Sequence, residues 1–153
     1  MFYIYDFFID LLVFSIICVK RSTVVSDAGT PGISDPGSKI VKEAIENQIE
    51  VIPIPGACAF INALIASGMN TDEFVFVGFL SNNKKEKKEK LEELIYETKT
   101  LIFYEAPHRL KETLEIMLEM LGDRNIVLAR EITKIHEEFL RGKISTIIEQ
   151  LVD

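Results

Sequence analysis

The chain has 153 residues, 48% of them hydrophobic and 27% charged, with a formal net charge of −7. That is apolar material for one domain, or one domain and part of another, and it excludes general disorder. The acidic balance excludes a protein that coats bare nucleic acid over its whole surface and leaves room only for a local basic patch. Cys18 and Cys58 lie far apart, so no disulfide framework is expected and a reducing, cytoplasmic setting is the simpler reading. The histidines are His108 and His136 alone, too few for a zinc set, and no metal is expected.

Residues 1–19 are almost entirely apolar but are interrupted by Asp6 and Asp10. The run 11–19 is too short for a membrane span. Lys20 and Arg21 follow the apolar stretch, whereas a secretory signal carries its positive charge before it. A buried segment is expected here, with no membrane anchor.

Beyond it the pattern becomes that of strands alternating with helices. Residues 23–25 predict a short strand that runs into a loop, SDAGTPGISDPG, over 26–37. Asp35 suits an N-cap and Pro36 the first helical position. Ile40, Val41, Ala44 and Ile45 recur at helical spacing, and Asn47 ends the helix. A strand over 49–54 is expected, closed by Pro55-Gly56, then a helix over 57–67 with Gly68 as its terminator. The continuous apolar run 74–80 predicts a strand buried on both faces. Residues 81–93 read as a loop and a solvated helix, with Leu91, Leu94 and Ile95 facing inward. A strand over 101–104 follows. Pro107 then opens a helix carrying Leu110, Leu114, Met117, Leu118 and Leu121, which stops at Gly122. Strands over 126–130 and 137–141 and a helix over 144–152 complete the chain. This order predicts an α/β fold with a sheet covered on both faces. The turn-rich stretch 68–72 is the expected break, giving segments 1–22, 23–70 and 71–153.

The loop over 26–37 is the most informative stretch. Its glycines let backbone approach a ligand closely, and Asp27 sits at a strand end, where α/β folds bind ligands. The plainer reading is a tight turn with a capping aspartate, a task that Asp35 already performs. The glycine spacing matches neither a P-loop nor a dinucleotide-binding fingerprint.

SDAGTPGISDPG resembles the signature of the ribosomal RNA small-subunit methyltransferase I family, within the tetrapyrrole-methylase-like superfamily. VIPIPGACA from Val51, TLIFYEAPHRL from Thr100 and LAREITKIHEEFLRG from Leu128 resemble further family motifs, in the same order. The resemblance covers roughly 85% of the chain, from Thr23 onward. It implies two α/β domains, with S-adenosylmethionine (SAM) held in the cleft between them. It implies methylation of a cytidine ribose 2′-hydroxyl in small-subunit ribosomal RNA, a homodimer, and the RNA or the small subunit as partner. Carried over by position, Asp27, Ala28, Gly29 and Thr30 form one wall of the cofactor site, and Cys58 and Ala59 another. Glu105 and Thr133 contribute from the second domain. The family's opening Thr-Pro-Ile-Gly-Asn loop, its Ala-Glu-Asp-Thr-Arg motif and its final strand have no counterpart here. The first domain is therefore expected to be incomplete, with exposed sheet edges, self-association and weak SAM binding. An inactive remnant of such an enzyme, or a superfamily member acting on a tetrapyrrole or on diphthine, is the alternative.

Other residues carry two readings each. Glu105 is either a cleft carboxylate that accepts a proton, with His108 as a second catalytic candidate, or the partner of Arg109 or Arg130. Arg109, at a helix start, either meets an RNA phosphate or pairs with a glutamate. Lys84 and Lys85, in a run with Lys87, Lys88 and Lys90, either touch RNA or form a solvated face. Cys58 is by default a small buried residue, and Met117 and Met120 are core filler or surface.

Overall fold

The computed structural model describes residues 23–25, 30–34 and 37–151. The chain divides into two compact units, Met1–Cys58 and Ala59–Asp153. The expectations placed on Asp27, Ala28, Gly29, Asp35 and Pro36, and on the apolar segment before Thr23, lie outside the described residues.

In the first unit, helix α1 (Gly37–Glu46) buries Gly37, Ile40 and Ala44, one stripe at helical spacing. It ends in a Schellman arrangement. The Ile49 N–H donates to the Ala44 carbonyl at 2.8 Å and the Gln48 N–H to that of Ile45 at 3.0 Å, with Gln48 at φ 58°. The expected strands over 23–25 and 49–54 do not form a ladder with any described segment. Their apolar pattern is right for strands, but a strand exists only through a partner's hydrogen bonds. Ile52 and Ile54 stand 71% and 77% exposed.

The second unit opens with helix α2 (Ala59–Ser67), two residues later than predicted. Gly68, at φ +79°, terminates it as expected. Strands β1 (Phe74–Phe79) and β2 (Thr100–Tyr104) pair in parallel. Between them lies helix α3 (Lys84–Glu92), capped by the Asn83 side chain, which accepts from the Lys85 and Glu86 N–H groups. After β2 a 3₁₀ turn, Pro107–Arg109, leads into helix α4 (Leu110–Leu121). The single helix expected from Pro107 is therefore split, with a tighter first turn. Strands β3 (Asn125–Arg130) and β4 (Glu138–Lys143) pair antiparallel, and helix α5 (Ile144–Gln150) follows. Among the described residues the ladders make two sheets of two strands each. The mixture of helices and strands is the predicted α/β class.

Leu80, Leu91, Leu114, Ile116, Met117, Ile144 and Ile147 form the core of this unit, with Val77 and Phe103 packed on it from the β1–β2 pair. Each of these side chains contributes roughly 1.5–3 kcal/mol by leaving water. Arg124 ties the periphery together by donating to the carbonyls of Leu121, Glu97 and Ile95. The β1 strand is not buried on both faces as predicted, since Phe74 and Phe79 at its ends are exposed. For Phe79 a bulge contributes. Phe76 pairs with Ile102 and Gly78 with Phe103, which leaves Val77 over. One extra residue flips the side chains beyond it to the other face. Phe79 thus joins Phe74, Phe76 and Tyr104 on the face that Phe60 of α2 covers in part, while Val77 stays on the core face.

Candidate functional site

The carboxyl end of β2 gathers the charged groups that the motif Tyr-Glu-Ala-Pro-His-Arg supplies. Glu105 is the first residue past the strand, and its side chain is largely buried. One carboxylate oxygen, Oε1, accepts from the Ala106 N–H at 2.8 Å and from Arg109 Nη2. The other, Oε2, accepts from the Thr113 hydroxyl at 2.6 Å. Arg109 and Thr113 follow Glu105 at four and eight residues, so the 3₁₀ turn and the first turn of α4 bring both back over the strand end. The Thr113 oxygen in turn accepts from Lys87 Nζ at 2.8 Å, and Nζ lies 4.0 Å from Glu105 Oε2. A hydroxyl has one proton to donate and two lone pairs, so Thr113 serves both neighbours at once.

Burial pushes the Glu105 carboxyl up, but the hydrogen bonds from Thr113, the Ala106 N–H and Arg109, with the Arg109 charge, outweigh it. The net displacement is below the ordinary carboxylate value. A carboxylate in that state is a weak base. Its geometry suits holding the Arg109 guanidinium better than taking a proton from a hydroxyl. Arg109 is 19% exposed along its side chain, and its Nε is buried with no hydrogen-bond partner among the described residues.

The remaining candidates are placed as follows. In the first unit, Thr30 grips Ala57: both its N–H and its hydroxyl donate to the Ala57 carbonyl, at 2.8 and 2.9 Å. This joins Thr30 to the segment that follows Pro55-Gly56. A Cβ on Gly56 would meet Thr30 Oγ1 at 3.4 Å. Gly37 packs closer still, since a Cβ there would meet the Gly32 nitrogen at 3.1 Å. These glycines let backbone segments of the first unit pack closely on one another. Cys58 is half-buried in the first unit, and Ala59 opens α2 in the second. Thr133 sits in the turn between β3 and β4 at φ 68°, where its N–H donates to Glu137 Oε2 at 2.6 Å. His108 is exposed on the 3₁₀ turn. Lys84 pairs with Glu112 of α4 at 3.2 Å, and Lys85 is exposed beside Glu89. Arg130 pairs with Glu138. Of the two readings of Arg109, the pairing with Glu105 is present.

Lys87 departs most from its sequence expectation. Within a run of lysines and glutamates it reads as part of a solvated face, yet it is 2% exposed. The spacing carries the signal: Lys87, Leu91 and Leu94 recur at i, i+4 and i+7, and all three are buried. Composition hides what periodicity shows.

Similarity to known proteins accords with these motifs. The tetrapyrrole (corrin/porphyrin) methylase family model matches residues 17–148. The chain is similar to the ribosomal RNA small subunit methyltransferase I of Bacillus subtilis, at 57% identity over 129 residues, 84% of this chain and 44% of that protein. It is 55% identical to the Synechocystis protein of the same name over 130 residues, 84% of this chain and 47% of that one. It is 50% identical to the Haemophilus influenzae protein over 131 residues, 85% of this chain and 46% of that one. The chain spans about half the length of the curated relatives it matches. With most of its length matched by the family model, the chain belongs to the tetrapyrrole (corrin/porphyrin) methylase family.

Proposed function

We propose that the chain serves SAM-dependent methylation of small-subunit ribosomal RNA, with a cytidine ribose 2′-oxygen as the acceptor. The observation that carries this is its 50–57% identity to proteins named ribosomal RNA small subunit methyltransferase I. When bound, SAM supplies a methyl group activated on a sulfonium sulfur. Such transfer needs an acceptor oxygen held in line and water kept out, more than covalent help from the protein. We assign the cofactor loop to Asp27, Ala28, Gly29 and Thr30, with Cys58 and Ala59 following the Pro55-Gly56 loop that Thr30 grips. Thr133 and Glu105 are assigned to the second domain's share of the site. Glu105 acts there chiefly by orienting Arg109.

RNA contact is assigned to Arg109, Lys84 and Lys85, cations that in the free chain pair with Glu105, Glu112 and Glu89. Such a group favours structured RNA or an assembled subunit over nucleic acid in general. A ribosomal substrate implies action in the cytoplasm, and the family resemblance implies a homodimer. No helix among the described residues is long and apolar enough to cross a membrane. Isothermal titration with SAM tests the cofactor assignment. Saturable binding that is lost in Asp27→Ala supports it, and equal binding by that variant removes Asp27 from the site.

A further inference from the structure

Two cations and one carboxylate share the buried cluster at the end of β2. Lysine is almost never fully buried unless paired, and Lys87 is 2% exposed. It comes from α3, while Glu105, Arg109 and Thr113 come from the segment that closes β2 and starts α4. The connection is sequential. Lys87 Nζ donates to Thr113, Thr113 donates to Glu105 Oε2, and the opposite carboxylate oxygen holds Arg109. Lys87 makes no direct bond to Arg109, and as a like charge it would repel it. Its effect on Arg109 passes through the two groups between them. By fixing the Thr113 proton on Oε2, it fixes the carboxylate plane and so leaves Oε1 to the guanidinium.

We propose that Lys87 is a positioning residue which, through Thr113 and Glu105, sets the Arg109 guanidinium for contact with an RNA phosphate. This rests on the RNA reading above and deepens it. The exposed lysines of the same helix, Lys84 and Lys85, contribute charge, whereas Lys87 contributes geometry. A long, planar, bidentate donor loses affinity when its orientation is released even if its charge remains, because the freedom must be frozen again on binding.

A double-mutant cycle decides this. Binding of a small-subunit ribosomal RNA transcript to the 153-residue chain is measured for Lys87→Met, Arg109→Gln and the pair, with thermal melting of each and Lys90→Met as an exposed control. Each single variant is expected to weaken binding roughly tenfold, and the double variant to lose no more than about twofold beyond Arg109→Gln. Lys87→Arg should restore most of the affinity, and Lys90→Met should bind within about twofold of the parent. If Lys87→Met does not fold, Thr113→Val cuts the same connection, leaving the Lys87 ammonium with Glu105 Oε2 at 4.0 Å as counter-charge, and carries the same cycle. Losses that add in the double variant mean that Lys87 acts independently of Arg109, which overturns the proposal. Normal binding by Lys87→Met beside weak binding by Arg109→Gln overturns it while leaving the RNA reading intact. Normal binding by Arg109→Gln overturns both.

Discussion

Phe79 and Tyr104 stand side by side at the carboxyl ends of β1 and β2, ring centroids 5.4 Å apart, because Val77 is left over in the ladder. Regular alternation would send Phe79 to the face of Val77. The bulge returns it to the face of Phe76 and Tyr104, whose rings meet edge-on at 5.1 Å. Gly78 makes this possible, since it takes φ 75° where the strand resumes.

Gly78→Ala is therefore expected to destabilise the chain by about 1–3 kcal/mol, the cost of holding a side-chain-bearing residue at that dihedral. Urea unfolding measures it. An unchanged midpoint would show that the bulge relaxes without cost.

Glu105 makes stability pH-dependent. Its folded value lies below the ordinary 4.5. Its contribution is therefore fully present above the unfolded value and is lost as pH falls through the lowered folded one. Glu105→Gln leaves Arg109 and Lys87 without their anion and should cost about 3 kcal/mol at neutral pH. The gap between parent and variant should narrow below about pH 4.5. Unfolding free energies from pH 7 down to pH 3 check this, and a gap that stays constant would contradict it.

Much of this unit was legible in the sequence because its signals are local. Gly68 and Gly122 stop helices, and Leu114 and Met117 mark a core stripe. The failures concern facts that need a partner. Residues 49–54 have a strand's composition but no ladder among the described residues. The Phe76–Gly78 bulge depends on β2's register, although a glycine inside an apolar run was a usable hint. Glu105 was legible as a motif residue, with Arg109 among its candidate partners. Its link to Lys87 was not, because the hydrogen bond from Lys87 to Thr113 spans 26 residues and two helices.

Arg141 reaches back to the end of α2, where its guanidinium donates to the carbonyls of Ala66 at 2.6 Å and Ser67 at 3.3 Å. These are carbonyls that a helix end leaves unpaired. Arg141→Met should speed amide exchange in α2 severalfold, with little change in α4. Uniform acceleration across the unit would mean that the interaction supports global stability instead.

Charge reversal at Lys84, Lys85 and Arg109 should weaken RNA binding and flatten its dependence on salt, by roughly one unit of slope for each phosphate no longer neutralised. The same slope in the variant and the parent across a salt series would remove the basic group from the interface.

Methyl transfer itself is the most direct measurement. Small ribosomal subunits are incubated with the purified chain and methyl-labelled SAM, and the RNA is digested to nucleosides. The proposed function predicts labelled 2′-O-methylcytidine, formed in the presence of EDTA as without it when the RNA fold is kept. Label on a base, or none in the RNA while the chain binds SAM, would contradict a ribose methyltransferase.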